Sequence, residues 1–154
     1  MTDIEPPKEK IKTKRAAGCL IFDEQGRILL LHRNIPGRVQ LELPGGKVNP
    51  DELPANGAKR ELLEELGIEV SFDPYKDYVG SQGFTEDGIL YDYYWFAGKI
   101  VSGKPTVKEK DKFDQARYWS WEELSQTEEP LSLNLKNLIE AHSSKVLRLP
   151  EQSS

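Results

Sequence analysis

The chain has 154 residues, of which 37% are hydrophobic and 31% are charged, and its formal net charge at pH 7 is −5. This length suits one domain with a single core, and the mixed charges argue against a disordered or membrane protein. The acidic balance shows no basic face that would wrap a nucleic-acid backbone, which excludes a large nucleic-acid interface. A small anionic ligand stays compatible with this charge, because a bound cation can supply positive charge locally.

Cysteine usage and the N-terminal composition bear on compartment and domain limits. Cys19 is the only cysteine, so no intrachain disulfide can form, which is typical of a reducing cytosol. Residues 1–14 are polar and aperiodic, without an apolar signal segment, and no stretch approaches the roughly 20 apolar residues of a membrane span. We predict a cytoplasmic protein with a disordered arm over 1–14, a domain over 15–143 and a tail over 144–154. A secreted protein that has lost its signal is the alternative.

The first predicted elements are two strands and a helix. Apolar runs over 17–22 and 27–33 flank a polar, glycine-containing turn and predict a β-hairpin. A helix is predicted over 54–66, because Pro54 suits a first helical turn and Gly67 suits a C-terminal cap.

The later predicted elements are three strands, a capping box and a final helix. Strands are predicted over 75–82, 89–100 and 116–119, and the Ser-Trp-Glu-Glu segment at 120–123 has capping-box spacing. A final amphipathic helix is predicted over 132–143. This order predicts an α+β fold in which a mixed β-sheet is flanked by helices, an α/β/α sandwich.

The helix over 54–66 concentrates carboxylates on one face. Glu61, Glu64 and Glu65 are three and four residues apart, and Arg60 is placed to pair with Glu64. Such like charges are tolerated on a solvated face, which is the commoner explanation for a Glu-rich helix, or around a hard cation such as Mg²⁺. The preceding Pro-Gly-Gly run at 44–46 lets the backbone approach a ligand closely, which favours the cation site.

The segment 46–68 resembles the Nudix box. That motif reads Gly, five residues, Glu, seven residues, then Arg-Glu-apolar-any-Glu-Glu-any-Gly-apolar. Every fixed position is filled here, by Gly46, Glu52, Arg60, Glu61, Leu62, Glu64, Glu65, Gly67 and Ile68. The surrounding strand order resembles the Nudix fold over about 15–143, so the resemblance implies that fold. Leu53 stands where many members have Ser or Thr. Leu41 stands in place of the usual Trp before the Pro-Gly-Gly run at 44–46, the glycine loop.

The resemblance implies roles for the box residues. Divalent metal, Mg²⁺ with Mn²⁺ as the alternative, would be bound by Gly45 through its carbonyl and by Glu61, Glu64 and Glu65. Arg60 would orient a glutamate and Glu64 would act in catalysis. Glu52 would support the site or bind the metal from an outer position.

Residues outside the box complete the predicted site. The Glu-Lys-Asp-Lys run at 109–112 is similar to a motif of Nudix enzymes that act on nucleoside triphosphates, so Glu109 is predicted to bind metal or serve as general base. A solvated charged loop is the alternative. Arg33, Arg38 and Lys47 flank the glycine loop and are predicted to contact substrate phosphates.

The function that the resemblance implies is water attack at phosphorus in a nucleotide-like phosphoanhydride. The first hypothesis is a Mg²⁺-dependent pyrophosphohydrolase that converts a nucleoside triphosphate to monophosphate and pyrophosphate. Hydrolysis of ADP-ribose or a nucleotide sugar is the alternative, although residues 82–85 lack the proline common in ADP-ribose enzymes. A non-hydrolytic nucleotide-binding domain is disfavoured because the box glutamates are retained. The expected partner is a small nucleotide, and no association with a membrane is expected. The expected assembly is a monomer or homodimer.

Overall fold

The computed structural model describes residues 12–150, so residues 1–11 of the predicted arm and 151–154 of the predicted tail lie outside the described residues. The elements in chain order are β1 (Thr13–Ile21), β2 (Ile28–Ile35), β3 (Arg38–Glu42), β4 (Gly45–Lys47), α1 (Pro54–Leu66), β5 (Glu69–Ser71), β6 (Tyr78–Glu86), β7 (Ile89–Ser102), β8 (Phe113–Trp119), α2 (Trp121–Gln126) and α3 (Leu133–Ser143). Strand β1 thus begins two residues inside the predicted arm. No helix in 12–150 is long and apolar enough to cross a membrane.

The strands form a mixed middle layer of two sheets. One sheet has the order β4-β1-β7-β5, with β6 also paired to β7, and the other has the order β3-β2-β8. Strands β1 and β7 run parallel, whereas the other pairs are antiparallel. The predicted mixed arrangement is confirmed, but it is divided between two sheets.

Two hydrophobic cores lie on opposite sides of these strands. Successive residues of a strand face opposite ways, so Cys19 joins Leu62 of α1 in one core, whereas Leu20 joins Leu135 of α3 in the other. All four are fully buried, and each buried leucine contributes about 1.5–3 kcal/mol by leaving water. Helix α1 covers one face and α2 with α3 the other, which confirms the predicted α/β/α sandwich.

The predicted hairpin between β1 and β2 is wrong. The turn forms, and the Asp23 amide donates to the Arg27 carbonyl at 2.9 Å. Beyond it a single bridge joins Phe22 to Ile28, after which β1 pairs with β4 and β7 and β2 pairs with β3 and β8. The last six residues of β1 and the first four of β2 are buried, and each strand lies between two partners in its own sheet. An unbroken apolar run signals burial on both faces and leaves the pairing partner open.

Helix limits follow local signals closely. Helix α1 spans the predicted range, begins after Leu53 without a side-chain cap, and ends where the Gly67 amide donates to the Leu63 carbonyl at 3.0 Å. The predicted capping box of α2 is present, with Ser120 and Glu123 each accepting the other's amide at 3.0 Å. Since these signals are local, they survive tertiary packing.

Two strand predictions and the tail need adjustment. The strand predicted over 75–82 begins at Tyr78, because the Asp73 carboxylate and carbonyl accept backbone amides of the preceding turn. The strand predicted from residue 116 begins at Phe113. The described part of the tail contacts the domain: the Arg148 amide donates to the Val79 carbonyl at 2.9 Å.

Candidate active site

The glycine loop brings strand β4 into contact with the carboxylates of α1. Gly45 has φ +149°, and a Cβ there would lie 2.3 Å from the Ala17 carbonyl oxygen, so only glycine fits. A Cβ on Gly46 would lie 2.7 Å from Cδ of Glu61. The missing side chains therefore let backbone and carboxylate approach each other closely.

Arg60 is the centre of the hydrogen-bond network on α1. Its Nε and Nη2 donate to the two carboxylate oxygens of Glu52 at 2.9 and 3.0 Å. Its Nη1 donates to Glu61 at 3.0 Å and lies 3.3 Å from Glu64, while Nη2 also reaches the Lys47 carbonyl at 2.9 Å. One planar guanidinium thus fixes the relative positions of three glutamates and the end of β4.

Glu52 supports Arg60 from the loop between β4 and α1. Its carboxylate also accepts the Asn49 amide at 3.1 Å. The Arg60 hydrogen bonds, followed by that amide, lower the pKa of Glu52 below its ordinary value, although slight burial opposes them. Glu52 is therefore an ionised partner of Arg60 at neutral pH.

Glu61, Glu64 and Glu65 form a row of carboxylates on α1, and Glu65 is the most buried of them. Only 4% of it is exposed, and its Oε1 accepts the Gly45 amide at 2.8 Å. Burial raises its pKa well above the ordinary value, the Gly45 amide opposes that shift, and the charges of Glu61, Glu109 and Glu42 reinforce it. A bound cation would offset the cost of burying a negative charge at this position.

Glu61 experiences a similar but weaker effect. Burial is the largest cause of its raised pKa, Arg60 opposes the shift, and the charges of Glu64 and Glu109 reinforce it. Even a direct hydrogen bond from Arg60 therefore does not offset the effect of burial on Glu61.

The loop before β8 brings Glu109 beside the box. The Lys108 amide donates to the Glu65 carbonyl at 2.9 Å, which attaches this loop to the end of α1. The charge of Glu109 contributes to the raised pKa of both Glu61 and Glu65, after the larger effect of burial. Lys112 Nζ lies 3.2 Å from Glu109 Oε2 and partly balances it.

The carboxylates form an open row rather than a closed cage. In residues 12–150, no three His, Cys, Asp or Glu side chains are grouped closely enough to hold a metal by themselves. Mg²⁺ does not require such a cage, because it commonly binds one or two carboxylates and takes its other ligands from waters and phosphates. The donor set of Glu61, Glu64, Glu65 and Glu109 fits a cation of that kind.

A cleft of about 470 Å³ adjoins the glycine loop, and the three predicted phosphate-contacting residues, Arg33, Arg38 and Lys47, all line it. Arg33 is already paired, since its Nε and Nη2 donate to Glu42 at 2.6 and 3.0 Å. Arg38 is half exposed, and its Nε is 3.9 Å from Glu42. Arg38 and Lys47 are thus better placed than Arg33 to meet an incoming anion.

Aromatic rings and one buried amide also line the cleft. Phe84 and Tyr91 stack with ring centroids 5.4 Å apart. Asn134 is 8% exposed, and its Oδ1 accepts the Trp95 Nε1–H at 2.8 Å, which leaves its amide nitrogen as the remaining donor. Tyr91 and Tyr93, which are two residues apart on β7, both line the cleft, because alternate residues of a strand share a face. Nothing in the sequence singled out Asn134 or Glu42.

Comparison with known proteins agrees with this geometry. A family profile described as NUDIX domain matches residues 12–141. An RNA pyrophosphohydrolase from Bartonella clarridgeiae is 24% identical over 137 residues, covering 73% of this chain and 78% of that protein. Phosphatase NudJ from Escherichia coli O1:K1 / APEC is 30% identical over 108 residues, covering 70% of this chain and 69% of that protein. The crystal structure of a MutT protein from Methanosarcina mazei Go1 has a TM-score of 0.72 at 26% identity, and the match covers 91% of this chain and 99% of that protein.

The profile match covers most of the chain and includes the whole segment that carries the glycine loop and the carboxylate row. Two of the relatives named above are hydrolases of phosphate compounds by name. The chain therefore belongs to the Nudix hydrolase family.

Proposed function

We propose that this hydrolase is a Mg²⁺-dependent pyrophosphohydrolase that cleaves a nucleoside triphosphate to monophosphate and pyrophosphate. The observation that carries the proposal is the meeting of two features at the glycine loop. On one side lie the carboxylates of α1, held in place by Arg60 and by the Gly45 amide. On the other lies a cleft whose lining includes cationic, acidic and aromatic side chains.

The metal would be held by Glu61, Glu64 and Glu65, with Glu109 completing the set. When bound, Mg²⁺ neutralises phosphate charge, orients the anhydride and lowers the pKa of an attacking water. The protein side chains supply the positioning. Arg60 keeps the carboxylates in place through its contacts with Glu61 and Glu64.

The cleft suits the rest of a nucleotide. Its volume of about 470 Å³ lies within the range of ordinary small-molecule sites, on the order of 300–1,000 Å³. Arg38 and Lys47 would meet the phosphates, and Arg33 would act with Glu42 as a fixed part of the wall. The base would contact Phe84 and Tyr91, whose faces accept any planar ring.

Water attack at phosphorus needs a proton acceptor. Glu64 and Glu109 are the candidates, because their side chains are 50% and 28% exposed and can reach a water at the edge of the row. Glu61 and Glu65 are more enclosed, with side chains committed to Arg60 and the Gly45 amide. The acceptor is therefore one of these two glutamates, and the other joins Glu61 and Glu65 in holding the metal.

We also propose a cytoplasmic location and a monomeric or homodimeric state. The lone buried Cys19 and the absence of a membrane-spanning helix among residues 12–150 support that location. Fractionation of cells producing the tagged protein, and light scattering of the purified protein, test the two statements.

A comparison of substrates tests the proposed reaction. With Mg²⁺, kcat/KM should be higher for nucleoside triphosphates than for ADP-ribose or a nucleotide sugar, since this ratio measures discrimination. Glu109→Gln should slow triphosphate turnover, whereas Glu24→Gln, at an exposed position of the β1–β2 turn, should not. A preference for ADP-ribose together with an unaffected Glu109→Gln variant would contradict the substrate assignment and leave the family intact.

A further inference from the structure

We propose that Arg15, on β1 and outside the box, is a positioning residue for the metal-binding carboxylates. It would act by locking the loop over 49–52, whose Glu52 holds Arg60. This inference rests on the proposed function, because it assigns Arg15 to the same metal site.

Arg15 holds that loop through an unusual convergence of carbonyl groups. Its Nη2 donates to the carbonyls of Asn49, Pro50 and Glu52 at 3.0, 3.2 and 2.9 Å. Its own carbonyl accepts the Val48 amide at 2.9 Å. One residue therefore fixes the chain on both sides of the turn that leads from β4 to α1.

The same loop is held from the other side by Arg60. Nη2 of Arg60 reaches the Lys47 carbonyl at 2.9 Å and a Glu52 oxygen at 3.0 Å. The positive charge of Arg15 also contributes to the lowered pKa of Glu52, after the larger effects of Arg60, burial and the Asn49 amide. Arg15, Glu52 and Arg60 thus form a chain of contacts that ends on Glu61 and Glu64.

This arrangement predicts a specific defect. Arg15 does not line the substrate cleft, so its loss should leave nucleotide KM nearly unchanged. It should instead weaken metal binding, because Arg60 would lose its fixed carboxylate partner and no longer hold Glu61 and Glu64 together. Groups that orient metal ligands typically change metal affinity by about 10–100-fold, and we expect about tenfold for Arg15→Met.

Metal binding can be measured without turnover. Electron paramagnetic resonance of free Mn²⁺ gives the Kd of each purified variant, and hydrogen–deuterium exchange of segment 48–53 reports loop order in metal-free protein. Arg15→Met should raise the Mn²⁺ Kd and the exchange rate. Arg15→Lys should partly restore both, because a single ammonium can donate to the same carbonyls. Arg27→Met is the matched control: it removes an equal charge from an arginine paired with Asp23.

Coupling with Glu52 separates positioning from general stability. If Arg15 acts through Glu52, Arg15→Met should add little to the Kd increase of Glu52→Gln in the double variant. Full additivity, or a wild-type Mn²⁺ Kd in Arg15→Met, overturns the inference. Glu65→Gln separates failure of the proposed metal site from failure of the Arg15 assignment. If both Arg15→Met and Glu65→Gln bind Mn²⁺ normally, the proposed metal site is wrong. If Glu65→Gln loses Mn²⁺ binding and Arg15→Met does not, only the assignment of Arg15 fails.

Discussion

Replacing Glu65 with glutamine separates the energetic cost of burying this carboxylate from its contribution to metal binding and activity. Only 4% of Glu65 is exposed, and three other glutamates add negative charge around it. Glutamine has nearly the same shape and keeps an oxygen for the Gly45 amide, which donates to Glu65 Oε1 at 2.8 Å. We expect Glu65→Gln to stabilise the metal-free protein at neutral pH and to weaken its metal binding and activity.

The pH dependence follows from the direction of the pKa shift. Burial and neighbouring carboxylates hold the pKa of Glu65 well above its ordinary value. The folded state therefore binds more protons than the unfolded state between the two pKa values, and wild-type stability falls as pH rises through that window. Because an ordinary glutamate titrates at about 4.3, the advantage of Glu65→Gln should be larger at about pH 8 than at about pH 5.

The expected effect is large enough to measure by thermal unfolding. A buried polar group without full pairing typically costs on the order of 1–3 kcal/mol. About 2 kcal/mol corresponds to a Tm increase of roughly 4–8 °C for a chain of this size. Metal at about 100 times its Kd should stabilise wild type by roughly 2.7 kcal/mol, and Glu65→Gln by much less.

A matched variant controls for the loss of one negative charge. Glu64 is half exposed, so Glu64→Gln should change metal-free stability by only about 0.5 kcal/mol or less, while also reducing the Mg²⁺ response. A lower metal-free Tm for Glu65→Gln than for wild type at about pH 8, or an undiminished Mg²⁺ response in that variant, would refute this reasoning.

Three further variants test other parts of the site. Arg60→Lys loses the planar contacts with Glu52 and should lower kcat/KM by about 10–100-fold; steady-state assays across Mg²⁺ concentrations should show a raised metal requirement. Gly46→Ala places a Cβ 2.7 Å from Glu61 Cδ, so kcat should fall while circular dichroism shows an intact fold, and normal turnover would contradict the contact. Glu109→Gln should reduce triphosphate kcat by about 100-fold if it is the base, measured by pyrophosphate release, and a change in KM alone would argue against that role.

Local signals made much of the fold predictable from sequence. Pro54 and Gly67 set the limits of α1, and the spacing of Glu61, Glu64 and Glu65 placed them on one face. These features depend on residues within a few positions of each other, so tertiary packing does not alter them.

Non-local pairing could not be predicted in the same way. The β1–β2 turn resembled a hairpin, but β1 pairs with β4 and β7, whereas β2 pairs with the next strand, β3, and with the distant β8. The contribution of Asn134 to the cleft depends on Trp95, which fixes its amide from another element. The contacts of Arg15 likewise appear only when β1 lies beside the loop over 49–52. The contacts of Arg15 with Asn49 and of Trp95 with Asn134 join residues more than 30 positions apart, beyond the reach of a periodicity argument.

Hydrolysis of a nucleoside triphosphate in ¹⁸O-water with Mg²⁺ tests the central claim most directly. Mass spectrometry of the products should show nucleoside monophosphate and pyrophosphate, with one ¹⁸O atom in one of these phosphate-containing products and none in the sugar or base. Glu64→Gln should slow the appearance of both products. Release of orthophosphate instead of pyrophosphate would contradict the proposed site of cleavage. Label bound only to carbon, or a phosphorylated form of the enzyme, would contradict direct water attack at phosphorus.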